Sequence, residues 1–229
     1  MTGLHVAGLW RYPVKSLAGE PLIEATLTLN GIPGDRGVYV RGPEGVRTAR
    51  VQYRMLGLHG TLDANGRALI DGLPWTDARS FAAVREAAGR DAELAEYPGL
   101  FDILPLLVAT DGAVAAFGRD VRRLRPNILI GGVDGMQERG WEGRALRIGD
   151  AIIRLDSLRA RCPITSVDPD TLVRDMQVLR DIGRRFRGQL ALNAEVLRPG
   201  LIRVGDRVQI EKPSTALRDH SQLIPAADA

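Results

Sequence analysis

A succession of short strand-like segments separated by turn signals constrains this chain most. Apolar and polar residues alternate from Pro21 to Leu29, and the turn pair Asn30-Gly31 follows directly. The clearest hairpin spans Thr61 to Asp71, with Asn65-Gly66 expected to form a type I′ turn. Many short strands with about three helices predict a β-rich barrel or a mixed α+β fold.

Three segments carry helical signals. The first is expected from Thr76 or Asp77 to about Ala88, followed by Gly89. The second is expected to be capped by Asp111 and to end at Pro126, and the third to run from Asp170 or Thr171 to about Arg185.

A short sequence echo predicts two further hairpins. Residues 146–153 and 202–209 match one another, and each has a Gly-Asp pair at its centre. A Gly-Asp turn is a common way to bend strands at the rim of a sheet or barrel. The echo is too short to indicate a repeat architecture.

Composition bounds the cell compartment and the partners. The chain has 229 residues and one cysteine, so it cannot form an internal disulfide, and we expect a reducing cytoplasm. We expect neither export nor membrane association, because the N-terminus lacks a signal core and no apolar run is long enough to span a bilayer. A net charge of +3, from 31 basic and 28 acidic residues spread along the chain, predicts no nucleic-acid partner.

Several cofactor signatures are missing from the sequence. It contains no glycine-rich dinucleotide fingerprint, no Walker A motif and no serine-hydrolase elbow. It has no Cys-x-x-Cys pair, and its three histidines stand far apart. The missing cysteine pairs therefore predict no iron–sulfur cluster in this chain. Haem and pyridoxal phosphate are not expected either.

Cys162 is the strongest candidate for chemistry. Arg159 and Arg161 flank it, Pro163 stiffens the loop after it, and an Asp-Pro-Asp turn begins at Asp168. Neighbouring arginine charge stabilises a thiolate, which is the reactive form of cysteine. A free cysteine is also commonly a small buried hydrophobe, so the residues alone leave both interpretations open.

The use of lysine singles out a second position. Arginine supplies all but two of the 31 basic side chains, and the two lysines are Lys15 and Lys212. Lys15 lies in the turn-like segment Tyr12-Pro13-Val14-Lys15-Ser16. A retained lysine there is consistent with a need for a compact, mobile point charge.

Taken in order, these segments resemble the MOSC family, which is named for the C-terminal domain of molybdenum cofactor sulfurases. The resemblance is closest to its two-part members, which include the mitochondrial amidoxime-reducing component. It rests on the following segments: Tyr12-Pro13-Val14-Lys15-Ser16, Asp35-Arg36, Thr48-Ala49-Arg50, Pro105-Leu106-Leu107-Val108, Arg125-Pro126-Asn127-Ile128, and Arg161 to Thr171. It implies a MOSC-type β-barrel with an N-terminal β-barrel-like subdomain and a few short helices.

The resemblance also implies a molybdenum cofactor, or molybdopterin, held between the two parts. Cys162 is expected to ligate the metal or to carry a persulfide, with Asp168 as a carboxylate near it. The expected cofactor-binding residues are Lys15, Ser16, Arg36, Arg50, Thr110, Arg125, Asn127, Arg161 and Thr165. A phosphate favours a point cation, a bidentate guanidinium and hydroxyl donors, so the residue types are compatible.

Simpler roles remain open for some of these residues. Lys15 and Ser16 could form an ordinary exposed turn, and Arg36 could pair with Asp35. Arg125 and Asn127 could hydrogen-bond loops where a helix stops and a strand starts. Asp168 could simply hold the Asp-Pro turn.

Two functions of different class follow from the resemblance. The first is a molybdenum oxidoreductase that reduces small N-oxygenated compounds with electrons from a separate redox partner of the ferredoxin or flavin reductase type. The second is a sulfur-carrier or cofactor-handling module that uses a Cys162 persulfide. We expect an N-terminal MOSC region at residues 1–97, the MOSC domain at 98–212 and a loosely ordered tail at 213–229.

Overall fold

A computed structural model describes residues 3–96 and 103–211, and its fold is strand-rich α+β, as the sequence predicts. The described helices are α1 (Ala78–Ala88), α2 (Asp111–Phe117) and α3 (Met176–Phe186). The strands are β1 (His5–Arg11), β2 (Glu20–Leu22), β3 (Glu24–Leu27), β4 (Val38–Gly42), β5 (Gly45–Arg47), β6 (Gly60–Leu62), β7 (Ala68–Ile70), β8 (Leu73–Pro74), β9 (Glu93–Glu96), β10 (Leu106–Thr110), β11 (Ile128–Gly131), β12 (Ala145–Ile148), β13 (Ala151–Ala160), β14 (Gln189–Arg198), β15 (Gly200–Arg203) and β16 (Val208–Glu211).

The largest sheet joins the two ends of the chain. Its eight strands lie in the order β16-β12-β13-β14-β10-β11-β1-β2, and β10 and β11 pair in parallel. The other strands form a β5-β4-β9 sheet, a β6-β7-β8 sheet and a β15-β3 pair. These described sheets are open, and the hydrogen-bonded ladder does not close on itself into a barrel.

Three hydrophobic clusters fill the interior. The first lies against the large sheet and includes Leu9, Ile128 and Ile153. The second packs α1 against β4 and β9 and takes in Val167 from the segment after Cys162. The third lies between α2, α3 and the far face of β10. The cysteine loop therefore contacts the N-terminal cluster although it follows a strand of the large sheet.

Local signals predict α1 correctly. The side chain of Asp77 accepts a hydrogen bond from the backbone N–H of Arg79 and caps the first turn. Gly89, with a φ of 110°, ends the helix. Ser80, Val84 and Ala88 form its buried side.

The predicted extent of α2 is wrong at both ends. Thr110, rather than Asp111, is the capping residue, since its hydroxyl accepts from the N–H of Ala113. The helix ends at Gly118, which adopts the left-handed conformation at φ 69°, and not at Pro126. A separate 3-10 turn at Val121–Arg123 continues the apolar spacing that suggested one long helix.

The predicted start of α3 is also wrong. The helix begins at Met176, capped by Asp175, rather than near Asp170. Asp168 accepts hydrogen bonds from the backbone N–H groups of Asp170 and Thr171, and Leu172 has a φ of 57°. Residues 168–172 therefore form a tight turn, and the helix starts only after this turn.

The Asn-Gly and Gly-Asp pairs predict the positions of two hairpins correctly, but they do not predict every turn type or strand partner. Residues 61–71 form the predicted hairpin, but a type I′ turn needs positive φ at both central residues, and Gly66 has it whereas Asn65 does not. The segment 146–153 is a hairpin of β12 and β13. The matching segment 202–209 is not, because β15 pairs with β3 and β16 pairs with β12.

Some expectations lie outside the described residues. The Pro98-Gly99 boundary and the tail at 213–229 are among them, so the division into residues 1–97, 98–212 and 213–229 stays a prediction. Within the described part of the chain, no helix is long and apolar enough to cross a membrane.

Candidate functional site

A cleft lies between the N-terminal segment and the large sheet. Its empty volume is about 720 Å³. The N-terminal segment supplies Lys15, Ser16, Arg36, Thr48 and Arg50 to its lining, and the remaining lining residues are Leu104, Leu106, Leu107, Leu124, Arg125, Asn127, Arg159, Ala160, Arg161, Cys162, Ile164 and Asn193. Eight of the eleven predicted site residues therefore meet in one place: Lys15, Ser16, Arg36, Arg50, Arg125, Asn127, Arg161 and Cys162.

The charge of the lining has one sign. Six basic side chains line the cleft, and across residues 3–96 and 103–211 no carboxylate does. The carboxylate of Asp35 pairs with Arg36 and is itself buried outside the lining. Like charges gathered around a partly enclosed space repel one another and favour a bound anion.

Lys15 and Ser16 are held by a fixed loop between β1 and β2. The N–H of Lys15 donates to the carbonyl of Val38 at 2.8 Å, and both Lys15 and Ser16 are buried. The open alternative of an exposed turn is therefore wrong for this loop. Ser16 has a φ of 73°, a left-handed conformation that costs a non-glycine residue about 1–2 kcal/mol.

Tyr12 supports two guanidinium groups of the cleft. The guanidinium carbons of Arg125 and Arg36 lie 4.3 and 5.2 Å from the centre of its ring. The Tyr12 hydroxyl donates to the carbonyl of Pro126 at 3.1 Å. Burial raises the pKa of Tyr12 to about 12, although the charges of Arg125 and Arg36 act in the opposite direction. Tyr12 is therefore a neutral platform at ordinary pH.

Asp35 connects the two halves of the site. Its carboxylate pairs with Arg36, accepts from the backbone N–H of Tyr12 at 2.7 Å and accepts from the amide of Asn127 at 3.2 Å. The Arg36–Asp35 pair, one of the open alternatives, thus exists, and it leaves Arg36 in the cleft lining. Asn127 is fully buried and also accepts from the N–H of Leu107, so it links strands as well as lining the cleft.

Three of the seven described non-glycine residues with positive φ line this cleft. Ser16, Arg36 and Arg125 line it and have φ values of 73°, 55° and 56°. Left-handed backbone at non-glycine residues persists only where surrounding contacts impose it, and such positions are common at ligand sites.

Cys162 lies two residues beyond the end of β13 at Ala160. It is half-buried and precedes the 3-10 turn Pro163–Ser166, whose proline fixes the loop. The guanidinium of Arg161 donates to the carbonyl of Leu124 at 2.7 Å. Arg159 donates to Asn193 on β14 at 3.2 Å. The thiol therefore lies beside two arginines, Arg159 and Arg161, whose side chains are held by these hydrogen bonds.

Three predicted site residues do not line the cleft. Thr110 is fully buried, caps α2 and donates to Glu138. The hydroxyl of Thr165 donates to the carbonyl of Cys162, so it supports the loop from within. Asp168 pairs with Arg123 at 2.7 Å and holds the turn at residues 168–171. Its backbone hydrogen bonds from Thr171 and Asp170 lower the pKa of Asp168 to about 2. These contacts agree with the alternative that Asp168 holds the Asp-Pro turn.

Sequence reasoning missed several residues of the site. Tyr12, Asp35 and Thr48 lie inside segments of the family resemblance, but they were not expected to take part. Arg123 lies in the arginine-rich segment before Pro126, and it is buried although the sequence gives it no role. Asn193 had no sequence signal at all, because its place beside Arg159 depends on the pairing of β13 with β14.

The described residues contain no group of three His, Cys, Asp or Glu side chains that could hold a metal ion. A metal at this cleft would therefore need ligands from a cofactor in addition to Cys162. The donor set fits such a group, because the lining offers cations for an anionic cofactor and a soft sulfur for a redox metal.

Two family models match the two parts of the chain, and curated relatives match most of it. The family described as MOSC domain matches residues 111–209, and the MOSC N-terminal beta barrel domain matches residues 3–82. Mitochondrial amidoxime-reducing component 1 from Homo sapiens is 27% identical over 279 aligned positions, which cover 90% of this chain and 82% of that protein. Mitochondrial amidoxime reducing component 2 from Macaca fascicularis is 26% identical over 245 positions, covering 80% and 72%.

Among solved structures, the YUAD protein from Bacillus subtilis has a TM-score of 0.46 at 13% identity, with 91% of this chain and 96% of that chain covered. The two domain matches adjoin the cleft from its two sides, since residues up to 82 supply Lys15, Ser16 and Arg36 and residues from 111 onward supply Cys162. The chain belongs to the MOSC family in its two-part form, a family linked to the molybdenum cofactor.

Proposed function

We propose that this protein is a molybdenum cofactor-dependent oxidoreductase that reduces small N-oxygenated compounds with electrons from a separate protein. One observation carries the proposal: the single cysteine shares a cleft with six basic side chains and, among the described residues, no carboxylate. The names of the two mitochondrial relatives, which are called amidoxime-reducing, support the substrate class.

The basic side chains would hold the phosphate and pterin of the cofactor. Lys15 offers a compact charge from a buried, hydrogen-bonded loop, and Ser16 offers a hydroxyl beside it. Arg36 and Arg125 present planar guanidinium groups that Tyr12 already orients. Less side-chain entropy is lost on binding when the guanidinium groups are fixed beforehand.

Cys162 would face the metal. When bound, the molybdenum centre supplies the redox chemistry that cleaves an N–O bond. A thiolate is a soft ligand suited to a redox metal, and the charges of Arg159 and Arg161 favour the anionic form of the sulfur. The apolar residues Leu106, Leu107 and Leu124 limit water on one side of the cleft.

The electron donor would be a separate protein of the ferredoxin or flavin reductase type. The sequence has one cysteine and no nucleotide fingerprint, so the chain offers no signature of an electron entry site of its own. Purified protein is therefore expected to reduce substrate with an artificial reductant and not with NADH alone.

The test is molybdenum and pterin content after expression in a host that makes the cofactor. We expect both in the wild type, and several-fold less pterin in a Lys15→Ala/Arg36→Ala double variant, since each change removes a charged hydrogen bond worth about 1.5–3 kcal/mol. Arg67→Ala, on the exposed hairpin turn, is the control for loss of one positive charge. Equal pterin content in all three proteins would contradict the placement of the cofactor.

Cys162→Ser separates a metal ligand from a sulfur carrier. A ligand role predicts loss of reductase activity and altered metal spectroscopy, with part of the pterin retained by the basic residues. A sulfur-carrier role predicts instead that the wild type gains the mass of one sulfur atom on Cys162 after treatment with a persulfide donor, without stoichiometric molybdenum. Full activity in Cys162→Ser would rule out the ligand role.

A further inference from the structure

A second cavity adjoins the cleft and differs from it in chemistry. Its empty volume is about 830 Å³. Arg125 and Ile164 line both cavities. Tyr12 lines the second cavity, and its ring lies against the guanidinium of Arg125. The cleft and the second cavity are therefore neighbours, and the side chains of Arg125 and Ile164 separate them.

The inner surface of this cavity is apolar and partly aromatic. Trp10 and Tyr12 contribute aromatic side chains, while Leu56, Ile164 and Val167 contribute aliphatic ones. Tyr12, Leu56 and Val167 are buried, whereas His59 and Asp170 are exposed. A buried apolar floor with polar groups at the mouth is the usual composition of a small-molecule site.

Two of the three arginines at this cavity are paired with carboxylates, and the third, Arg125, lies over the Tyr12 ring. Arg122 forms two hydrogen bonds of 2.7 and 2.8 Å with Asp170, and it also pairs with Asp120. Arg123 pairs with Asp168. An anionic ligand would have to break one of these pairs or compete with the cofactor for Arg125, and a cationic ligand would have to displace Arg122 from Asp170; both are costly. In the neighbouring cleft, the charged lining residues among those that the structure describes are all basic.

We propose that the second cavity binds the flat, uncharged organic body of the substrate, whose reacting group is directed past Ile164 toward the Cys162 cleft. This deepens the proposed function and rests on it for the identity of the occupant as substrate. The basic cleft selects the anionic cofactor, and the ion-paired, aromatic cavity selects a neutral ring system. The two sites divide the recognition of charge and of apolar surface between them.

Ala18 provides a way to fill the cavity without changing its charge. It lines the cavity and is half-buried, and its backbone is held by hydrogen bonds with Leu58 and Gly60. Ala18→Leu adds three carbon atoms at this wall. Ala64→Leu makes the same substitution at the exposed tip of the β6–β7 hairpin and is the matched control.

Binding is measured by saturation-transfer NMR on cofactor-free protein with three probes of similar shape: neutral benzamide, anionic benzoate and cationic benzamidinium. We expect benzamide to bind the wild type and Ala64→Leu equally, and at least five-fold more weakly to Ala18→Leu. Neither charged probe should show this dependence on Ala18. Trp10→Leu, which removes an aromatic side chain from the lining, should weaken benzamide binding as well. Thermal unfolding establishes that each variant is folded.

Equal benzamide binding in wild type and in folded Ala18→Leu and Trp10→Leu would overturn the proposal, as would no benzamide binding to the wild type at millimolar concentration. Charged probes that depend on Ala18 as strongly as benzamide would overturn the preference for a neutral ligand. These outcomes are separable from the proposed function. If the protein carries molybdenum but fails the benzamide test, only the cavity proposal is refuted. If it lacks molybdenum but passes the test, the reductase assignment and the identity of the occupant as substrate are refuted, while the neutral-ligand cavity stands.

Discussion

Glu138 should make the stability of this protein fall as pH rises. The residue lies in the 3-10 turn Gln137–Gly140 and is fully buried. One carboxyl oxygen accepts from the hydroxyl of Thr110 at 3.3 Å, and the other is buried with no hydrogen-bond partner among the described residues. Burial raises the pKa of Glu138 from its ordinary value of 4.5, although its hydrogen bonds and Arg139 oppose the shift.

The sign and slope of the effect follow from proton linkage. Between pH 4.5 and the raised pKa, native Glu138 keeps a proton that the unfolded chain has released. The free energy of unfolding therefore falls with rising pH in this window, by up to about 1.4 kcal/mol per pH unit. The contribution of Glu138 is fully present below pH 4.5 and is lost once the pH passes the native pKa.

Glu138→Gln removes the titration while keeping the size of the side chain. We expect its unfolding free energy, measured by denaturant titration at several pH values, to rise relative to the wild type as pH increases from 4.5 to 8. A constant offset from the new amide is expected at every pH and does not affect the slope. Glu44→Gln, at an exposed position, should show no such divergence. A difference between Glu138→Gln and wild type that is independent of pH would refute the reasoning.

Two further predictions concern the support of the cleft. Arg123→Ala should lower the thermal unfolding midpoint by roughly 4 °C or more and speed alkylation of Cys162 in metal-free protein, because Arg123 is 9% exposed and holds both Thr165 and Asp168. Arg122→Ala should have a smaller effect, since its side chain is 45% exposed, and equal effects would contradict the distinction. Ser16→Gly should raise stability by about 1 kcal/mol by relieving left-handed backbone, yet lower pterin content by removing the hydroxyl. A loss of stability with unchanged pterin would show that Ser16 is structural.

The cleft was predictable to the extent that its residues occupy recognisable segments. Lys15 stood out through the scarcity of lysine, and Cys162 through its flanking arginines. Their meeting in one cleft was expected only from the family resemblance, because 146 residues separate them. Asn193 and Tyr12 were missed because their roles arise from strand pairing and from ring stacking, which leave no local pattern.

Two of the predicted residues that do not line the cleft share a local structural role. Asp168 and Thr110 are polar residues beside expected functional segments, and both are used by the backbone nearby, one in a turn and one as a helix cap. A short oxygen-bearing side chain satisfies a neighbouring N–H whether or not a ligand is close. Sequence position alone therefore could not separate these roles.

The sequence by itself determined the strand-rich character, the limits of α1 and the β12–β13 hairpin, because capping, alternation and tight turns act over a few residues. Only the tertiary structure decided that β15 pairs with β3, although residues 202–209 repeat the β12–β13 pattern. The tertiary structure also brings basic residues from positions 15–50 and from positions 125–161 into one cleft with Cys162. Partners far apart in sequence are selected by the burial of shared surfaces, and that choice is made by the whole chain rather than by any segment.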